Sequence, residues 1–186
     1  MDWAGTVFGQ QSQQPEAVNL WMGPSAAVSA LHKDPYENLF TVWQGCKMFT
    51  LVCPAYAPQL HQRPVPSGRF AWNHHNEKWQ VQVDRCSNNN NDKVETVPWI
   101  TTNVLDNNCN IPYRQVRVQP GETLYLPSLW FHRVAQENND GPLTIAVNLW
   151  YDMEFASPLW VYFDLLQRIN VEEEEEVPQQ PKEDNA

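Results

Sequence analysis

The stretch SLWFHRVAQENNDGPLTIAVNLWYDM, residues 128–153, contains two alternating apolar runs separated by a polar turn. Runs rich in Val, Leu, Trp and Tyr and broken by Asn, Asp, Gly and Pro predict a pair of β-strands, at 130–136 and 143–151. His132 lies inside the first of these strands, between bulky neighbours. A polar imidazole at such a position needs a partner, and the identity of that partner bears on function.

The same alternation recurs along the chain and predicts six further strands. Gly45, in the segment WQGCK, supplies the permissive backbone for a hairpin turn. Ser157 and Pro158 begin a segment whose apolar residues share one helical face, which predicts a helix over 157–170. Eight strands in two groups of four, followed by one helix, predict an all-β double-stranded β-helix of the jelly-roll, cupin-like class. The six further strands are predicted at 17–23, 29–34, 38–45, 47–54, 113–120 and 123–128.

Composition divides the chain into one domain with two polar ends. Residues 1–16 are polar and rich in glutamine, so we predict a disordered or loosely ordered leader. The domain spans 17–170 and carries a long irregular insert at 55–110, dense in Pro, Asn and Gln. Residues 171–186 form an acidic tail that we predict to be disordered.

Charge and cysteine content narrow the functional classes. The tail from residue 172 onward holds seven acidic residues and one lysine, and so accounts for six of the ten net negative charges. No basic face for nucleic acid is expected. The sequence shows no signal peptide and no apolar run of membrane-spanning length. The four cysteines form no metal-binding pair, which favours a reducing compartment, the cytoplasm with the nucleus as the alternative.

The pair His32 and Asp34 is the first candidate for metal binding. Residues at i and i+2 of a strand point to the same face, so both side chains project together from the strand at 29–34. A jelly roll can bring His132 close to them from the other half of the chain. Two imidazoles and one carboxylate form the facial triad of non-haem Fe(II) oxygenases. The same set can also hold zinc.

Two alternatives compete with this interpretation. An isolated HxD tripeptide is most often a surface coincidence, and His132 between aromatic residues could be a core histidine bonded to a carbonyl. The remaining histidines lie in the predicted insert, where His74 and His75 are adjacent and cannot both face one side of a strand. These two and His61 are therefore poor candidates for ligands.

Other polar residues within apolar runs indicate a pocket beside the metal candidate. Lys47 begins the strand at 47–54 and can bind the carboxylate of a cofactor, although a lysine at a strand end can equally extend to solvent. Ser29 precedes His32 by three residues and offers a hydroxyl. Asn38 and Asn148 are amides flanked by hydrophobic residues, so each faces a polar cavity or satisfies backbone groups.

Four motifs taken together resemble the JmjC-domain Fe(II)/2-oxoglutarate oxygenases, and within them the small jumonji-domain (3S)-lysyl hydroxylases. They are LHKDPYENLF (31–40), Lys47, GETLYLPSLWFHRV (121–134) and AVNLWYDM (146–153). The resemblance implies three iron ligands, His32, Asp34 and His132. It also implies contacts to 2-oxoglutarate from Lys47, Ser29, Asn38 and Asn148. Fe(II), the cosubstrate 2-oxoglutarate and O₂ are the cofactors that it implies.

The implied activity is protein hydroxylation, with a lysyl C-3 position of a developmentally regulated GTP-binding protein as the expected target. Asp152 and Glu154 are candidates to receive the lysine, or ordinary solvated loop residues. Histone-directed lysine demethylation, peptidase activity and a truncated, catalytically inactive jelly roll are the alternatives. Relatives also carry an N-terminal region that the first sixteen residues do not resemble, and the resemblance allows a homodimer.

Overall fold

The computed structural model describes residues 2–8, 14–88, 91–137 and 143–175. Most of the regular structure is β-strand, with an α-helix near each end of the chain and a 3-10 helix between them. None of the described helices is both long and apolar enough to span a membrane. The elements are α1 Asp2–Val7, β1 Ala17–Gly23, β2 Ser29–His32, β3 Tyr36–Gln44, β4 Cys46–Val52, a 3-10 helix Pro54–Gln59, β5 Gln62–Pro66, β6 Gly68–Asn73, β7 Lys78–Val83, β8 Arg85–Asn88, β9 Asn91–Val94, β10 Thr96–Ile100, β11 Arg114–Val118, β12 Thr123–Leu126, β13 Phe131–Glu137, β14 Thr144–Asp152 and α2 Pro158–Glu175.

Two four-stranded antiparallel sheets form the main compact unit, which comprises residues 1–59 and 103–186. Their strand orders are β1-β14-β3-β12 and β11-β4-β13-β2. The eight strands predicted from the alternating sequence are these eight, and each sheet draws strands from both halves of the chain. The predicted all-β jelly-roll class is confirmed.

The interior of this unit follows from the period-two alternation of its strands. Val42, Phe49 and Leu126 are fully buried and belong to one cluster, in which the rings of Phe40 and Phe49 meet edge to face at 5.1 Å. Edge-to-face contact is a favoured arrangement of aromatic rings. Phe40 and Phe49 of this cluster also lie beside the polar residues of the cavity described below.

Helix α2 begins at Pro158, inside the segment where the sequence predicts a helix, and extends to Glu175 instead of ending at residue 170. Its buried residue Phe163 meets Phe131 of β13 with 5.9 Å between ring centroids. Part of the predicted acidic tail is thus helical, because the glutamates continue a helix that has already formed. The rest of that tail, 176–186, lies outside the described residues.

The leader over 1–16 contains a short helix that the sequence did not indicate. Ala4 of α1 is fully buried and packs with Leu39 and Tyr151 on the sheet that contains β3 and β14. Phe8 stacks on Tyr125 at 5.3 Å. Tertiary contact with an apolar sheet face therefore orders a segment whose composition alone predicts no ordered structure.

Residues 60–102 form a second compact unit, and here the prediction of an irregular insert over 55–110 needs correction. The unit contains three antiparallel strand pairs, β5 with β10, β6 with β7 and β8 with β9. In the β6–β7 hairpin Trp72 lies directly opposite Trp79, and their rings meet edge to face at 5.5 Å. Cross-strand aromatic pairs of this kind stabilise a hairpin even where the surrounding composition is polar.

Two glycines with positive φ allow a direct test of the turn between β3 and β4. Gly45 has φ +72° and Gly121 has φ +86°, but only Gly45 is crowded, by the Thr144 side chain and the Glu137 carbonyl. Gly121→Ala should cost about 1–2 kcal/mol, because the left-handed conformation disfavours a Cβ. Gly45→Ala should cost roughly 1–3 kcal/mol more, since the new methyl group also overpacks. Urea unfolding of both variants measures the difference, and equal losses would contradict it.

Candidate metal centre

The pairing of β13 with β2 brings the two histidines together. His132 and His32 are register partners across these antiparallel strands, and their ring centroids lie 4.2 Å apart. Asp34 follows β2 by two residues. Its carboxylate Oδ2 lies 3.5 Å from His132 Nε2 and 3.9 Å from His32 Nε2. The three side chains that the sequence singled out therefore converge.

Leu129 links the segment that carries Asp34 to the segment that carries His132. Its backbone N–H donates to the Asp34 carbonyl at 2.9 Å, three residues before His132. Leu129 is fully buried and has φ +66°, a left-handed conformation that costs a non-glycine residue about 1–2 kcal/mol. Local strain of this kind persists where surrounding contacts enforce it. The hydrogen bond from Leu129 holds the Asp34 backbone against the segment that leads into β13.

One donor atom from each of the three residues lies within 4.8 Å of the others, and the group could hold a metal ion. Ligands at about 2 Å from one ion are separated by roughly 3 Å, so a small contraction completes the geometry. Three protein ligands leave further coordination positions open, which is the arrangement of a catalytic site. The three residues therefore have the ligand types and the spacing that a catalytic metal site uses.

Backbone carbonyls orient both imidazoles. His32 Nδ1 lies 2.7 Å from the Ala30 carbonyl, and His132 Nδ1 lies 3.0 Å from the Trp130 carbonyl. Because a carbonyl oxygen can only accept, each Nδ1 carries the proton and donates. In the neutral form of each ring Nε2 is then the unprotonated nitrogen, and in the protonated form the same nitrogen donates; in both forms it faces Asp34. A hydrogen bond from the distal ring nitrogen is the usual support of a metal-binding histidine.

The electrostatic environment keeps His32 and Asp34 in forms that bind metal. Burial and the neighbouring charge of His132 lower the pKa of His32, against the opposing effects of the Ala30 carbonyl and Asp34. Burial raises the pKa of Asp34, but the hydrogen bond and charge of His132, with smaller contributions from His32 and Lys33, outweigh it and leave that pKa below its ordinary value. A neutral imidazole and an ionised carboxylate therefore persist toward lower pH.

A cavity of about 100 Å³ opens beside the three residues. Since roughly 10–15 Å³ accommodates one water-sized group, the space suits a molecule of about seven to ten non-hydrogen atoms, the size of a small dicarboxylate. All seven residues that the sequence assigned to the site line it. The lining is Trp21, Ser29, His32, Asp34, Asn38, Phe40, Lys47, Phe49, His132, Val134, Asn148 and Trp150.

Lys47 is the cation of this cavity. Its side chain is buried, with 7% of the residue exposed, so it does not extend to solvent. Within the described parts of the chain its Nζ has no carboxylate partner, and it donates to Gln136 Oε1 at 2.5 Å. Burial lowers its pKa. A buried cation without a counter-ion is costly, and an anionic ligand that entered the cavity would offset that cost.

A directed chain of hydrogen bonds crosses the opposite wall. The indole N–H of Trp21 donates to Asn148 Oδ1 at 3.0 Å, and Asn148 Nδ2 donates to Asn38 Oδ1 at 3.1 Å. Because an indole N–H can only donate, it fixes the orientation of both amides. The Asn38 amide nitrogen is then left as a donor at the cavity wall.

Three residues with hydrogen-bonding side chains join those found from sequence: Trp21 and Trp150, which line the cavity, and Gln136, which accepts a hydrogen bond from Lys47. Trp21 could have been found from the alternation of β1, which places it on the same face as Asn19. His61, His74 and His75 belong to the second compact unit and are not part of the cluster. Asp152 and Glu154 are exposed and do not line the cavity.

Comparison with known proteins finds a matching family model and several similar proteins. Residues 1–157 match a family model described as a cupin-like domain. The chain is 40% identical over 186 residues to JmjC domain-containing protein E of Dictyostelium discoideum and 37% identical over 174 residues to the bifunctional peptidase and (3S)-lysyl hydroxylase JMJD7 of Homo sapiens. It is 34% identical over 183 residues to the lysine-specific demethylase JMJ32 of Arabidopsis thaliana. These alignments cover 90%, 90% and 91% of this chain and 50% of each relative, so the chain spans about half the length of these curated relatives.

Removing one donor should abolish metal binding without unfolding the protein. Asp34→Ala leaves two imidazoles and no anionic ligand, and we expect affinity for Co(II) to fall by more than about 100-fold, beyond the loss typical of changes in the outer shell. The visible absorption of protein-bound Co(II) measures the effect. His75→Ala, a change to an exposed histidine of the other unit, is the matched control. Unchanged Co(II) binding by Asp34→Ala would contradict the site.

Proposed function

This chain belongs to the cupin-like JmjC-domain family, and we propose that it is an Fe(II)- and 2-oxoglutarate-dependent dioxygenase that hydroxylates a lysyl side chain of a protein. One observation carries the proposal. A cluster of two histidines and an aspartate shares a cavity with a buried lysine that has no carboxylate partner among the described residues. The two histidines and the aspartate suit a divalent metal, and the buried lysine suits the distal carboxylate of a dicarboxylate.

Each part of the cavity would have a distinct role. His32, Asp34 and His132 would hold Fe(II), which together with 2-oxoglutarate and O₂ supplies the oxidising chemistry, with succinate and CO₂ as co-products. Lys47 would bind the distal carboxylate of 2-oxoglutarate through a charge-assisted hydrogen bond. Ser29, at the exposed start of β2, would add a hydroxyl.

The walls would keep the reaction away from bulk water. Phe40 of one sheet and Phe49 and Val134 of the other give the cavity an apolar surface. The amides of Asn38 and Asn148, on the sheet that also carries Phe40, would orient the cosubstrate through the Asn38 N–H groups that the hydrogen-bond chain from Trp21 leaves available. A largely apolar pocket with a few fixed polar groups is typical of small-molecule sites.

We base the proposed lysyl specificity on the name of one relative and on two exposed acidic residues. The human relative is named as a (3S)-lysyl hydroxylase, and we propose the same class of substrate here, with a developmentally regulated GTP-binding protein as the partner. Asp152 and Glu154, exposed around the end of β14, would attract a lysine ammonium near the cavity. A second candidate is lysine demethylation, because the Arabidopsis relative carries that name.

Loss of His132 should separate catalysis from folding. His132→Ala removes an iron ligand, so we expect succinate formation from 2-oxoglutarate to fall by at least about 100-fold, with an unchanged far-ultraviolet circular dichroism spectrum. Anaerobic addition of Fe(II) and 2-oxoglutarate to the unaltered protein should give the weak visible absorption of a chelate, and the variant should not show it. Turnover that survives in His132→Ala would refute the ligand assignment.

The mass of the product distinguishes the candidate reactions. Incubation of a GTP-binding protein with the enzyme, Fe(II) and 2-oxoglutarate should add the mass of one oxygen atom to an intact chain. Loss of a methyl group from a methylated lysine, with formaldehyde release, would instead favour demethylation. Cleavage of the backbone would favour the peptidase activity that also appears in the name of the human relative.

A further inference from the structure

Gln136 lies behind Lys47 and had no part in the site as read from the sequence. It follows His132 by four residues on β13, so the two side chains share one face of the strand. Its register partner on β4 is Lys47 itself. The glutamine is buried, with 7% of the residue exposed, and its Oε1 accepts the 2.5 Å hydrogen bond from Lys47 Nζ.

The turn between β1 and β2 fixes the orientation of this amide. Gln136 Nε2 donates to the Pro24 carbonyl at 2.7 Å and to the Ala27 carbonyl at 3.1 Å. Both amide hydrogens are therefore committed to groups that can only accept, and Oε1 must face Lys47. The fit is tight, since a Cβ added to Gly23 would lie 2.7 Å from Nε2.

The charge of the group that accepts the Lys47 hydrogen bond determines whether the cavity keeps a positive charge. A buried ammonium needs acceptors for its three N–H groups, and a carboxylate would satisfy one while neutralising the charge. A glutamine oxygen satisfies one N–H and leaves the positive charge in place. The cavity thereby retains a cation that is held at one position but still available to an incoming anion.

We propose that Gln136 is a positioning residue that holds Lys47 as a fixed, unneutralised cation and so sets the preference of the cavity for a dicarboxylate over a monocarboxylate. The inference rests on the proposed function only in naming 2-oxoglutarate as that dicarboxylate. Through Pro24 and Ala27 it also assigns the β1–β2 turn a role in supporting the cavity, because the turn determines which way the amide points.

The test compares two keto acids that share one head group. Mn(II)-loaded protein is titrated calorimetrically with 2-oxoglutarate and with 2-oxobutyrate, which lacks the distal carboxylate. Gln136→Glu should reduce affinity for 2-oxoglutarate by about 10- to 100-fold, the value of a hydrogen bond to a charged group, and leave 2-oxobutyrate almost unchanged. Gln136→Met removes the acceptor without adding charge, and should cause a smaller loss of the same preference.

Two controls separate this role from a merely structural one. Gln115→Glu makes the same chemical change at an exposed position of β11 and should leave the preference intact. Mn(II) affinity should be the same in all variants, because none touches the three ligands. If Gln136→Glu fails to fold by circular dichroism, the methionine variant decides the question.

The outcomes are distinguishable. If the unaltered protein prefers 2-oxoglutarate and both Gln136 variants retain that preference in full, the inference is wrong while the proposed function stands. If the unaltered protein binds Mn(II) but shows no preference for 2-oxoglutarate over 2-oxobutyrate, both the inference and the proposed cosubstrate fail. A preference that is reduced in both Gln136 variants and intact in Gln115→Glu supports the role of Gln136.

Discussion

The register of β13 is the constraint on which the site depends. On one face of this strand His132 lies against His32 of β2, and Gln136 lies against Lys47 of β4. A slip of one residue would turn every side chain of β13 to the opposite face. The metal cluster and the cation would then be lost together, because one strand supports both. Val134, between them on the same face, lines the cavity that joins the two.

The polar groups of the cavity are arranged so that their charges are not cancelled. Asp34 is the single carboxylate among the described residues of the lining and is committed to the histidines, while Lys47 is bonded to a neutral amide. The opposite wall carries amides oriented by the indole of Trp21. An interior that paired Lys47 with a carboxylate would be easier to stabilise but would offer nothing to an anion. The arrangement thus gives up some stability in exchange for the capacity to bind a ligand.

The sequence predicted the sheets and the metal cluster because both depend on a period of two. Alternation identified all eight strands of the jelly roll and predicted that Asp34 lies beside His32. Strand β2 ends at His32, however, and the hydrogen bond from the Leu129 N–H to the Asp34 carbonyl holds Asp34 near β13. Gln136 was missed because a glutamine in an alternating strand is usually a solvent-facing residue, and only its partners reveal that it is buried. The second compact unit was missed because its polar composition hid pairs such as Trp72 with Trp79. Helix α1 was missed because burial of Ala4, a tertiary contact, orders it.

Helix α2 packs behind the metal cluster, although none of its side chains that the structure describes lines the cavity. Phe131 precedes His132 and therefore points away from the cavity, where its ring meets Phe163 of α2. Lys33, between His32 and Asp34, also points away, and its Nζ lies 5.1 Å from the centroid of the same Phe163 ring. One buried aromatic side chain thus contacts the outward-facing neighbours of all three candidate ligands. Since a slip of either segment would remove its neighbour from Phe163 and place it in the cavity, packing on this ring opposes the register error that would destroy the metal cluster.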